Sequence, residues 1–258
     1  MTDVTSQANE ALFVVRGLAK AYEGRRVLDG LDFEVRHGEC LVILGRSGSG
    51  KSVTLRQLNG LESADGGSVH FDGIEISALA ERELFPIRRR IGMLFQGGAL
   101  FDSLDIADNV AFPLREHTTL SEEEIARTVG EKLALVGLPD VEAKMPAELS
   151  GGMKKRAALA RSLALDPEAM LFDEPTTGLD PITSATIGRL IQSIRADSNV
   201  TSVVVTHDVA LARRIGDRLA FLEDGRFTFV GDWQEADRSG PRTLADFLAG
   251  REEEADAA

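Results

Sequence analysis

The sequence predicts an α/β fold: a parallel-sheet core carrying an antiparallel β subdomain and an inserted α-helical subdomain. Three observations predict it. Leu41–Leu44, Met170–Phe172 and Val203–Val205 are continuously apolar runs bounded by polar residues, the pattern of strands covered on both faces. Residues 12–36 instead alternate apolar and polar around Glu23-Gly24 and Asp29-Gly30, the pattern of antiparallel strands joined by turns. Between roughly 97 and 165 the chain holds only helix signals, which interrupt the alternation.

Two of the inserted helices can be placed with reasons. Ser121 and Glu124 have capping-box spacing; Ile125, Val129, Leu133 and Val136 follow at helical spacing, and Gly137 with Pro139 ends the run. A second helix begins at Ser150, carries Ala157, Ala160, Leu163 and Ala164 on one side, and is expected to stop at Asp166-Pro167. Residues 12–235 are expected to form the folded domain. Residues 1–11 are read as a frayed flank, and order is expected to fail after about 235, ending in a disordered acidic tail through Glu252-Glu253-Glu254-Ala255-Asp256.

Bulk properties narrow the function. At 258 residues the chain can bury a sizeable core. Its formal net charge of -13 argues against nucleic acid or an anionic bilayer as a partner, since both select basic surface. The one cysteine, Cys40, lies in an apolar run and reads as a core residue; no disulfide within the chain is possible. His37, His70, His117 and His207 lack ligand spacing. No signal peptide and no apolar stretch of about 18 residues is visible, so the chain is read as cytoplasmic, reaching a membrane only through a partner.

Each apolar run leads into polar chemistry, and in open parallel sheets ligands sit at the carboxyl ends of strands. The three runs are therefore expected to converge on one site. The first opens into Gly45-Arg46-Ser47-Gly48-Ser49-Gly50-Lys51-Ser52, which fits GxxxxGK[ST]. There the glycines let backbone N–H groups face phosphates, Lys51 reaches the β- and γ-phosphates, and the Ser52 hydroxyl ligates Mg²⁺. An apolar-periodic helix should follow from Val53 through Leu55, Leu58 and Leu61, adding its positive N-terminal end. The second run ends at Asp173-Glu174: Asp173 suits Mg²⁺, and Glu174 suits a general base beside the γ-phosphate. The third ends at His207, a candidate for orienting the attacking water. Ser150-Gly151-Gly152 opens its helix with a hydroxyl and bare N–H groups, a second anion site. A second cradle in one chain suggests a nucleotide held by another molecule.

In this order the residues resemble ABC transporter ATPases, over roughly residues 12–235. The resemblance rests on a Walker A at 45–52, a Q-loop glutamine at Gln96, the signature Leu149-Ser150-Gly151-Gly152-Met153, a Walker B ending at Asp173-Glu174, a D-loop at Gly178-Leu179-Asp180 and a switch histidine at His207. It implies a P-loop NTPase (RecA-like) core that binds ATP and Mg²⁺, with Gln96 joining Ser52 and Asp173 around the metal. Tyr22 would stack on adenine, and Val53 would line the nucleotide site. It also implies a head-to-tail pair of copies, each nucleotide lying between the Walker A of one and the signature and Asp180 of the other. A finer resemblance is to the ATPase of Mla-type phospholipid transporters, carried by Phe95–Phe101, Asp108–Leu114, Met153 with Lys154-Lys155-Arg156, and Asp180–Thr183. That implies an integral membrane permease, an MCE-domain lipid-binding protein and a small STAS-domain protein as partners. Ala99, Leu100, Phe101 and Leu104 are candidates for the permease contact, the bland alternative being that they pack the insert onto the core. An ABC ATPase for another substrate, such as an amino acid or lipoprotein, is the alternative. A soluble repair or translation protein fits poorly: Ser150 follows Lys51 too closely for a long coiled-coil insertion, there is no tandem domain, and the charge is negative.

Overall fold

The structure, a computed structural model, describes residues 10–251 and divides them into two compact units. The first contains residues 10–80 and 201–251; the second contains Glu81–Val200.

In the first unit β1 (Ala11–Tyr22) and β2 (Arg25–Arg36) form a hairpin through Glu23-Gly24, both at positive φ. β4 (Gly66–Phe71) and β5 (Ile74–Glu75) extend it into an antiparallel sheet of order β2-β1-β4-β5. Asp29-Gly30 does not turn the chain as expected. Pairing continues through Ala19↔Asp29 beside register shifts, and the Asp29 N–H donates to the Gly225 carbonyl at 2.8 Å. The pair is thus an irregularity inside a strand, held from outside the hairpin.

The same unit holds β3 (Cys40–Leu44), β8 (Thr201–Thr206), β9 (Arg218–Glu223) and β10 (Arg226–Asp232). β3 lies between β8 and β9, parallel to both, and β10 pairs antiparallel with β9. Every residue of β3 and β8 is buried, Thr201, Ser202 and Thr206 flanking the apolar run of β8 included. Between β3 and β4 runs α1 (Lys51–Leu58), which buries Val53, Leu55 and Leu58. The expected continuation to Leu61 fails: the helix ends at Leu58, and Leu61 is exposed.

After β8 come α7 (Val209–Ile215), α8 (Trp233–Ser239) and α9 (Arg242–Leu248). The last two correct the expectation that order fails after 235. Asp232 and Glu235 form a capping box that starts α8, Ala236 and Leu244 are buried, and the Phe247 ring lies 5.2 Å from Phe221. At the other end, Ala11 already belongs to β1; the acidic tail and residues 1–9 lie outside the described residues.

The second unit contains α2 (Glu81–Arg90), β6 (Ile91–Leu94), α3 (Ile106–His117), α4 (Glu122–Leu135), α5 (Gly151–Ser162), β7 (Ala169–Asp173) and α6 (Pro181–Ser198). β6 and β7 pair in parallel, and β7 is buried throughout. The Ser121–Glu124 capping box forms as the spacing predicts, and α4 buries Ile125, Val129 and Leu133. α5 starts at its Ser150 cap but ends at Ser162, before Asp166-Pro167; Leu163 and Ala164 pack beyond it as buried residues. Helices α3, α4 and α5 occupy the segment expected to be helical, and this compact unit extends beyond it to include both strands, α2 and α6. No helix among the described residues is long and apolar enough to cross a membrane.

Candidate active site

The first unit places the Gly45–Ser52 loop between β3 and α1. Gly50 caps α1 at φ 106°, and a Cβ there would meet Leu28 Cδ2 at 2.7 Å and the Val27 carbonyl at 3.0 Å, so the position requires glycine. Lys51 is buried, and its ammonium donates to the Gly45 and Arg46 carbonyls at 2.8 and 2.9 Å. The chain thus wraps into a ring closed by its own cation. Ser49 Oγ is buried without a hydrogen-bond partner among the described residues, so the ring retains polar capacity for an oxyanion. A cavity of about 520 Å³ beside it is lined by Arg25, Arg26, Arg46, Ser47 and Gly48 together with the Phe221–Gly225 turn. The Arg25, Arg26 and Arg46 cations and the glycine-rich loop there suit a polyphosphate.

His207 leaves the same edge of the sheet, since Leu44 pairs with Thr206. Arg46 and His207 line one depression with Val209 and Phe247–Arg251. Val53 is buried in α1. Tyr22 ends β1 with 40% of its surface exposed, its hydroxyl bonded to Glu62 and the Lys20 ammonium 5.6 Å from its ring centre. Desolvation, with the Glu62 hydrogen bond adding, pushes its phenol up to about 12, so it stays protonated.

The second unit holds the remaining sequence-predicted residues. Asp173 ends β7, and Asp173 and Glu174 are both buried. Glu174 adopts φ 47°, a left-handed conformation that costs a non-glycine residue energy and recurs at functional sites. The Thr177 hydroxyl and Glu174 Oε2 lie 3.2 Å apart, and the Thr177 N–H donates to the Glu174 carbonyl at 3.2 Å. Ser150 caps α5, its Oγ accepting from the Met153 N–H at 3.3 Å. Asp180 caps α6, accepting from the Ile182 and Thr183 N–H groups at 3.0 Å and from the Thr183 hydroxyl at 2.5 Å. Those bonds, led by the Thr183 hydroxyl, hold its carboxyl below the usual range. A Cβ on Gly152 would lie 2.4 Å from Thr183 Cγ2, and one on Gly151 3.7 Å from Leu179 Cδ2, so the signature and the D-loop are packed together.

Sequence reasoning assigned no role to Lys155, Thr177 or Asn109. Lys155 is buried and donates to the carbonyls of Gln96 and Glu174, the latter at 3.3 Å. Burial pushes its ammonium below the usual value, opposed by the charges of Asp173 and Glu174. Asn109, fully buried, accepts from the Phe101 N–H at 2.8 Å and donates to the carbonyls of Phe101, Leu104 and Asp105. The available signal was polarity inside an apolar helical pattern. Beside the Asn109-pinned loop, a groove of about 590 Å³ runs past Phe85, Ile91, Ala99, Phe101 and Phe112, with Arg88 and Arg161 among its walls. The Phe101 and Phe112 rings are 4.9 Å apart, and both residues are exposed.

Among the described residues no cluster of three or more His, Cys, Asp or Glu side chains could hold a metal ion. Ser52 in the first unit and Asp173 in the second each carry a hard oxygen donor, the donor type that Mg²⁺ takes.

Known proteins are similar to this chain. The family described as ABC transporter matches residues 28–177. The Mycobacterium leprae "probable ribonucleotide transport ATP-binding protein mkl" is 44% identical over 92% of this chain and 68% of its own length. The "intermembrane phospholipid transport system ATP-binding protein MlaF" of Haemophilus influenzae is 43% identical over 94% of this chain and 92% of its own. Its Escherichia coli K12 namesake is 42% identical over 88% and 84%. Among solved structures, the dimeric post-hydrolysis state of the ATP-binding cassette MJ0796 with ADP and Pi superposes with a TM-score of 0.80 at 33% identity, covering 85% of this chain and 98% of that one. The cbiO1 protein of Clostridium perfringens superposes with a TM-score of 0.81 at 29% identity, covering 90% and 92%.

Proposed function

The chain belongs to the ABC transporter family and is an ATP-hydrolysing subunit of it; on that premise we propose that it powers phospholipid movement between bacterial membranes through a separate permease. The observation that carries the substrate is the match to the two MlaF proteins along most of both chains, whereas the mycobacterial relative extends well beyond the matched region.

The roles divide by chemistry. The Gly45–Ser52 loop and Lys51 bind the phosphates of ATP, with Val53 below them and Tyr22 against the base. Ser52, Asp173 and Gln96 hold Mg²⁺, which when bound neutralises charge on the β- and γ-phosphates. Glu174 takes the proton of the attacking water, and His207 orients that water. Ser150, Gly151, Gly152 and Asp180 serve the nucleotide of a second copy, so two chains close head to tail around two nucleotides. The support for pairing is that two helices of one chain, α1 and α5, open at glycine-rich turns, N-termini of the kind that suits phosphate. The ATPase domain starts near residue 12 and takes in α8 and α9 beyond 235, with its helical subdomain at about 97–165.

The groove at Phe101 and Phe112 receives a cytoplasmic segment of the permease, which places the chain on the cytoplasmic face of the inner membrane. An MCE-domain protein and a small STAS-domain protein complete the assembly. Reconstitution tests the reading. The chain and its permease in vesicles should transfer labelled phospholipid in an ATP-dependent way, and Glu174→Gln should stop it. Transfer of another solute but no phospholipid would refute the substrate assignment.

A further inference from the structure

Helix α5 does more than present Ser150. Lys155, Ala158 and Arg161 recur along one side of it at helical spacing. Lys155 donates to the carbonyls of Gln96 and Glu174. Arg161 donates to the carbonyls of Ala99 at 2.7 Å and Gly98 at 3.2 Å. A Cβ on Gly98 would lie 3.3 Å from the Ala158 methyl. The helix thus grips the main chain of the loop after β6 along its length, and at Lys155 it also grips the main chain after β7.

Lys155 has 6% of its surface exposed. Burying an ammonium is costly unless its donors are used, and here they serve two carbonyls on separate segments. One belongs to Glu174, whose backbone sits at φ 47° and needs surrounding contacts to stay there.

We propose that Lys155 is a positioning residue for ATP hydrolysis, fixing the backbones of Gln96 and Glu174 to the helix that begins at Ser150. It acts through those two backbones rather than on the reacting atoms. It sets where the Glu174 carboxylate and the Gln96 amide start from. This rests on the role proposed above for Glu174. Since α5 begins at the residues proposed to meet the second copy's nucleotide, Lys155 makes each chain's own Glu174 depend on the seating of that helix.

The test compares Lys155→Met, which keeps length but removes the donors, with Lys155→Gln, which keeps an N–H donor without charge. Both are measured as full chains assembled with the permease, with kcat and KM for ATP determined separately. Lys155→Met should lower kcat about tenfold or more, as expected when two buried carbonyls lose their donor, with KM within about twofold of the parent. Lys155→Gln should fall between the two. A Lys155→Met chain with parental kcat and a parental melting temperature overturns the proposal, as does a loss confined to KM. If Lys155→Met does not fold, Lys155→Gln decides: parental kcat overturns the proposal, and reduced kcat at parental KM supports it. Glu174→Gln is assayed alongside. If that chain turns over ATP normally, the assigned base is wrong, a failure visible independently of the Lys155 series.

Discussion

The Thr177 hydroxyl lies 3.2 Å from Glu174 Oε2, and the Thr177 amide bonds the same residue's carbonyl, so one residue steadies both ends of Glu174. Glu174→Gln should lower kcat about 10²–10⁴-fold while ATP still binds. Thr177→Val should cost about fivefold, the rate equivalent of losing ~1 kcal/mol from one hydrogen bond. Steady-state turnover and binding of a fluorescent nucleotide check both. Lys51→Ala should instead weaken nucleotide binding itself.

Gly152 and Thr183 leave no room for a methyl group between them. Gly152→Ala should destabilise the chain by about 1–3 kcal/mol through overpacking. Thr183→Ala should relieve the clash, so the double variant should be more stable than the sum of the singles. Denaturant unfolding of the four proteins measures this coupling.

Asn109 supplies both its amide hydrogens and its oxygen to the 101–105 loop. Asn109→Leu keeps comparable volume but leaves those backbone groups without their partner. It should destabilise the fold by about 2–4 kcal/mol, several buried hydrogen bonds being lost together. Thermal unfolding followed by circular dichroism is the measurement.

Leu100→Glu or Phe101→Glu should break co-purification with the permease while the isolated chain still folds and binds ATP. Phe101 is 43% exposed, so the charge can reach water and stability should change little. Normal assembly with normal lipid transfer would place the docking surface elsewhere; unfolding would assign these side chains to internal packing.

Much of this was legible because backbone chemistry and periodicity are local. Gly45–Ser52, the buried strands Cys40–Leu44 and Thr201–Thr206, and the Ser121 and Ser150 caps follow from short-range rules. Asp29-Gly30 misled because its amide is bound by Gly225, far along the chain. The helices after 235 went unseen because their short apolar pattern gains meaning only against Phe221. Lys155 was invisible as a functional residue for the same reason: its partners are main-chain carbonyls, which leave no trace in side-chain identity.

Cys40 is the chain's one sulfhydryl, fully enclosed in β3, where its amide donates to Asp217 at 2.7 Å. A thiol sealed in apolar surroundings reacts slowly with maleimides. A cysteine introduced at an exposed position, such as the 79%-exposed Ile182, should therefore accept a fluorophore or spin label selectively, with Cys40 left in place. The protein is already a background for distance spectroscopy, in which separations between labelled chains could be followed through a cycle of nucleotide turnover.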